Sequence, residues 1–333
     1  MLLVGTGLLL MVGFDALSTT LSIGAAAGPL TSRLGAGWWR TARRLARAPD
    51  SPIIVSAGPV VVLLTICVWL GSLWGGWTLV FAADPDAVIS SATRAPASGW
   101  SRVYFAGFTA FTLGVGDYVP NGQPWEVLTA VAVVSGLGLT TLAITYLVPV
   151  VSAVTARRVQ ANTIAGMGAT PQDIVLTGLR DDRFPFLEHR LQALSDSILE
   201  TAERHLSYPV LHYFHSAERH VDLRTQALLL DEAVTLLAHG VRDDVRPNPA
   251  VLDGTRHAIV QLVERATGEP PDLAPPPSPA LGALRQAGVP TVDDDTFARS
   301  LADLSDHRRR VAHFASESLW TRMTQITRAA TQN

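Results

Sequence analysis

Two apolar segments of bilayer length, Ile54 to Phe81 and Trp125 to Thr155, enclose a stretch that no lipid-facing helix can hold: Thr112-Leu113-Gly114-Val115-Gly116-Asp117. Each glycine costs roughly 1 kcal/mol relative to alanine inside a helix, and two of them one residue apart leave backbone groups without their usual partners. Irregular backbone at membrane depth must face protein or water. The arrangement that makes use of such backbone is a pore, where carbonyl oxygens aimed at an axis replace the hydration shell of a passing cation. A glycine-rich turn between two membrane helices, holding no ion, is the plain alternative.

An aromatic run precedes this stretch. Ser98 or Ser101 is placed to cap a short helix from Arg102 to Phe111, whose Tyr104, Phe105, Phe108 and Phe111 pack around the loop. Its C-terminal end then points toward the ion path, where the partial negative charge of the helix favours a cation.

At these residues the chain resembles a known family. Thr112 to Asp117 resembles the potassium-channel filter pattern Thr-Val-Gly-Tyr-Gly-Asp, and Gly116-Asp117-Tyr118-Val119-Pro120 looks like the second pore loop of two-pore-domain potassium channels. The likeness covers the loop and both flanking helices, from Ile54 to Thr155. The resemblance implies that Thr112, Leu113, Gly114, Val115 and Gly116 line the filter, with the Thr112 hydroxyl at its inner mouth. Asp117, Tyr104, Phe105 and Phe108 then support it, and permeant potassium is the only ion held, with no cofactor. Two residues depart from the pattern. Leu113 replaces the usual Val or Ile, and Val115 replaces the aromatic that in the family braces the filter against the pore helix. In the inner helix of the resembled channels a hinge glycine stands about twenty residues after the filter, the position of Gly136 here. Pro149 lacks a backbone donor and predicts a kink further along. Gly136 and Pro149 are therefore the candidate gating residues, the alternative being that Gly and Pro are simply tolerated in membrane helices.

Charge divides the 333-residue chain. Before Ala156 the acids are only Asp15, Asp50, Asp84, Asp86, Asp117 and Glu126, whereas all nine histidines follow it. The basic residues are all arginine, a compositional bias and not a binding signal, and the net charge is -3. Arg308-Arg309-Arg310 reads as a solvated helix face, so no nucleic-acid partner is expected. Cys67 stands alone, which excludes an intrachain disulfide. Neither a nucleophile elbow nor a zincin motif nor a phosphate loop is present, so the chain is not expected to be an enzyme.

In chain order, Leu2 to about Ile23 reads as a retained membrane helix, because a signal peptide's basic n-region is missing. Asp15 interrupts it, either touching the pore-bearing helices or lying near the helix end. Pro29 to Asp50 carries Arg33, Arg40, Arg43, Arg44 and Arg47 with Trp38 and Trp39, which suits a helix on a membrane surface and, by the positive-inside rule, places these arginines in the cytoplasm. Ala83 to Gly99 reads as an external loop. Beyond Arg158, apolar residues recur at helical spacing: Leu187, Leu191, Leu194, Ile198; Leu223, Ala227, Leu230, Val234, Leu237; and Phe297, Leu301, Leu304 with Val311. Asn248 and Pro249 open a further helix, and Pro270 to Pro279 reads as an exposed linker. His205, His212, His215 and His220 lack a carboxylate or cysteine at ligand spacing and read as ordinary histidines, His212 and His215 sharing a helical face.

The expected protein is an all-α membrane protein: three transmembrane helices with a re-entrant pore helix and filter loop, followed by a cytosolic helical domain. The expected boundaries are residues 1–53 for the first helix and the amphipathic segment, 54–155 for the pore module and 156–333 for the helical domain. One loop per chain requires four copies around an axis in the plasma membrane. The alternatives are a weakly selective monovalent cation channel, and a non-conducting membrane anchor whose helical domain recruits a partner.

Overall fold

The computed structural model describes residues 1–21, 27–46, 51–179, 183–216, 218–267 and 274–316. Arg47, the start of the proline-rich linker at Pro270 and the C-terminal Asn333 lie outside them. The chain divides into two compact units, one of Met1–Thr41 with Pro59–Val151, the other of Ala42–Gly58 with Ser152–Asn333.

The first unit is built on three helices long and apolar enough to cross a bilayer: α1 (Leu2–Leu21), the longer part of α4 (Ala57–Phe81) and the first two thirds of α6 (Trp125–Ala165). Between α1 and α4 come α2 (Pro29–Leu45) and the short α3 (Pro52–Val55). The expected span from Ile54 is thus broken at Ser56. Pro59 explains the break, because it lacks an N–H and its ring would meet the Val55 carbonyl in a continuous helix. α6 continues through Pro149 and ten residues past Thr155 as one assigned helix.

α5 (Gly99–Ala110) is the short helix between the spans, capped by Ser98, whose side chain accepts from the Ser101 N–H. The segment expected as a loop holds a strand, β1 (Val88–Ser90), which pairs antiparallel with β2 (Tyr118–Pro120) in the register Ile89 to Val119. Three-residue strands are too short to leave an alternating pattern in the sequence.

The second unit is a helical bundle: α7 (Pro171–Gly178), α8 (Pro185–Ser207), α9 (Leu223–Thr235), α10 (Pro249–Ala266), α11 (Gly282–Gln286), α12 (Asp294–Asp303) and α13 (Ser305–Ser316). Thr170 opens α7 with a reciprocal capping box, and Asn248 caps α10 through a side-chain bond to the Ala250 N–H. Leu187, Leu191, Leu194 and Ile198 are buried against Leu223, Ala227, Leu230 and Val234 in one core that also takes Phe297, Leu301 and Val311. Leu304 ends α12, so the heptad from Leu304 to Val311 spans a helix break. Extended pairing in this unit includes a bridge from Val241 to Thr291.

Two expectations are corrected here. Arg308 is not on a solvated face: it is buried and makes a two-pronged ion pair with Glu232 on α9, both contacts at 3.0 Å. Beside it His307 Nε2 lies 2.7 Å from the buried Asp231. Of three consecutive helical residues only one can point inward, and here that one is neutralised. His212 and His215 share no helical face, since His212 lies in the 3-10 turn Pro209–Tyr213 and His215 follows it. The His215 ring sits between the Tyr213 carbonyl and the Arg224 guanidinium, at 3.2 Å from each. Burial first, then Arg224, lowers its pKa to about 3. His205 is lowered in the same direction by burial and by Arg157 and Arg224, an environment that repels a divalent cation.

Candidate functional site

α5 buries Phe105, Ala106, Gly107, Phe108, Thr109 and Ala110 and presents its C-terminal carbonyls to the loop that follows. The Thr112 N–H bonds to Thr109 O at 3.1 Å, and the Leu113 N–H bonds to Phe108 O at 2.8 Å. These bonds tie the start of the filter stretch to the pore helix.

Within the stretch the backbone alternates in hand. Thr112, Gly114 and Gly116 have φ of 60°, 57° and 87°, while Leu113 and Val115 stay on the negative side. In an extended strand with uniformly negative φ, successive carbonyls point to opposite sides; reversing the hand at every second residue turns them toward the same side. Glycine takes this conformation freely, but Thr112 is β-branched, and holding it there costs about 1–3 kcal/mol. Among the described residues only Arg94 and Thr112 are non-glycine residues with positive φ. The side chains of the stretch face outward from the chain: Leu113 is 72% exposed and Val115 45%.

The far end of the stretch is held by polar contacts. Asp117 O accepts from both the N–H and the hydroxyl of Ser91, each at 3.0 Å. The Tyr104 hydroxyl reaches Asp117 Oδ2 at 3.5 Å, and Ser101 Oγ donates to the Tyr118 hydroxyl at 2.9 Å. Behind them Phe105 packs edge-on against Phe81 and Phe108, at ring-centre separations of 5.0 and 5.3 Å, and Tyr104 packs on Phe108 at 5.1 Å. Trp74 on α4 donates through Nε1 to Val103 O, which fastens the outer helix to the pore helix. Tyr104, Phe105, Phe108 and Asp117 therefore all gather behind the stretch. Ser91, Ser101 and Trp74 join them without having been singled out for this role, because their partners are distant in sequence.

The candidate gating residues lie on α6. A Cβ on Gly136 would fall 1.7 Å from Ala110 O, so this glycine lets the inner helix touch the end of the pore helix. Gly138, two residues on, has open space where its side chain would be. Pro149 lies inside α6 one turn after Tyr146, whose ring is 6.2 Å from that of Trp69 on α4.

Comparison with known proteins agrees with this geometry. A family model described as ion channel matches residues 60–153, from near the start of α4 through α5 and the loop into α6. Over 308 residues the chain is 31% identical to the uncharacterized membrane protein YdjJ of Bacillus subtilis (strain 168), covering 91% of this chain and 90% of that relative. No solved structure matches. The likeness to the relative runs through the helical domain as well, so the chain belongs to the same family as that membrane protein, with an ion channel module at residues 60–153.

Proposed function

We propose that four copies of this chain form a potassium-selective channel of the plasma membrane, conducting passively through a filter lined by Thr112, Leu113, Gly114, Val115 and Gly116. The observation that carries the reading is the alternation of backbone hand from Thr112 to Gly116, the kind of irregular backbone that lets carbonyls line a pore. One chain supplies one such loop, and a cage of carbonyls around an axis needs four. The exposure of Leu113 and Val115 supports the same assembly, since apolar side chains left bare in one copy gain burial against its neighbours. In this reading the helical domain is cytoplasmic, the protein is not an enzyme, and no cofactor is needed beyond the permeant ion.

A weakly selective cation channel is the second reading, and Val115 favours it. Valine has no hydroxyl with which to brace the filter, so the side-chain contacts that stiffen it are those at Ser91, Ser101, Tyr104 and Asp117, outside the five lining residues. Recording from purified protein in a planar bilayer, with potassium and sodium on opposite sides, separates the two. A reversal potential near the potassium limit supports the first, a value near zero the second, and absence of flux refutes both.

A further inference from the structure

We infer that α2 carries a binding stripe for anionic phospholipid headgroups, formed by Arg33, Arg40 and Arg44. At 100° per residue these three fall within about 40° of one another on the helix surface. Thr31, Gly35 and Ala42, all buried, lie on the opposite side. The helix thus rests on one face and turns its guanidiniums outward. All three are exposed, as is Arg43 beside them, and α2 contains no acidic residue. Among the described residues no carboxylate is within ion-pairing distance of any of the four. The one side-chain bond in the group runs from Arg40 Nε to Ala36 O in the same helix. A chain with net charge -3 therefore presents a local excess of unneutralised positive charge.

Position selects the partner. The carboxylate of Asp15 is fully buried and accepts from the Leu30 N–H at 2.6 Å, from the Thr31 N–H and hydroxyl, and from Trp69 Nε1 at 2.8 Å. It therefore satisfies the free N–H groups at the start of α2 while gripping α4. Trp69 stands twelve residues into α4, about 18 Å from its first residue, so α2 begins deep beside that helix. Arg40 and Arg44 stand about 17 and 23 Å along α2 from Pro29, in the half of the helix that leads away from the Asp15 anchor. Trp38 and Trp39, both half-buried, stand just before Arg40, and indoles favour the headgroup layer. A guanidinium pairs with phosphate in a two-pronged geometry, so the lipid phosphate is the group recognised, and a net negative headgroup is what the uncompensated charge requires. The inference rests on membrane embedding alone and is independent of whether Thr112 to Gly116 conducts.

The test is native mass spectrometry of the full chain released from bilayers of equal phosphatidylglycerol and phosphatidylcholine, counting retained lipids. Wild type should retain phosphatidylglycerol in excess. Each arginine near an anionic surface is worth about a five-fold preference, so Arg33→Gln/Arg40→Gln/Arg44→Gln should lower the ratio by roughly a hundred-fold at most. The matching triple lysine variant keeps the charge and should keep most of the preference. An unchanged ratio in the glutamine variant, or equal retention of both lipids by wild type, overturns the proposal. Loss in both variants would point to a misplaced helix and equally overturn the charge argument. Displacement of the lipid by millimolar inorganic phosphate would assign the stripe to a free anion instead.

Discussion

At Thr112 a β-branched side chain occupies a backbone conformation it normally avoids, and it does so between a hydrogen-bonded helix end and two glycines. Apart from Arg94, it is the one described non-glycine residue held at positive φ. Gly114 has open space around its missing Cβ, so substitution there is opposed by φ alone and not by crowding. Gly114→Ala should therefore leave insertion and assembly intact while abolishing potassium current; unchanged conductance would remove the reason for calling the stretch a filter. Gly136 is the reverse case. Its φ is helical, but a methyl group would overlap Ala110 O, so Gly136→Ala should destabilise the pore by about 3 kcal/mol or more, read as a lower midpoint of thermal unfolding in detergent. Gly138→Ala, facing open space, should leave that midpoint nearly unchanged. If Gly136→Ala alters opening but not stability, the residue is a hinge and not a packing site. Thr112 to Gly116 stand out in the sequence because two glycines one residue apart mark an irregular backbone locally. Ser91 and Ser101 do not, because their partners lie 26 and 17 residues away and a lone serine carries no sign of them.

Among the elements, those with long apolar periodicity could be read directly, and those set by tertiary contacts could not. The stripes of α8 and α9 predict their buried faces because each element must hide that stripe. The strands β1 and β2 are held by pairing with each other, and the break before α4 follows from a proline whose effect depends on where the helix starts. Burial in the helical domain also has a consequence that the positions of the histidines alone do not reveal. His215 has a folded pKa of about 3, below its ordinary 6.5, so the native state resists protonation and stability is lost as pH falls below 6.5. At 1.36 kcal/mol per unit, moving from pH 7 to pH 5 costs about 2 kcal/mol from His215 alone, and His205 acts in the same direction. Urea unfolding followed by circular dichroism at the two pH values should show this loss. His215→Phe should reduce it, and equal stability at both pH values would contradict the buried, neutral state.

For the whole molecule, one pore loop per chain makes assembly the first question. Purified protein should run as a tetramer in detergent, and a conducting monomer or dimer would refute the four-copy pore. The second question is what the helical domain contributes, and the division of the chain frames it. The filter stretch and every contact described behind it lie in the unit of Met1–Thr41 and Pro59–Val151, whereas the helical core belongs to the other unit. Ion preference depends on carbonyl geometry within about one ion's radius, so a domain outside that unit has no direct hold on it. The backbone crosses between them three times, within α2 after Thr41, within α4 after Gly58 and within α6 after Val151. Anything the helical domain does to conduction must therefore act through these helices, by shifting how they are populated between arrangements, or by stabilising the tetramer. Deleting residues 156–333 should leave the potassium-to-sodium permeability ratio unchanged while altering open probability or the yield of tetramer, measured by bilayer recording and by size in detergent. A truncated pore that stays tetrameric but changes its permeability ratio severalfold would mean that the helical domain shapes the filter itself.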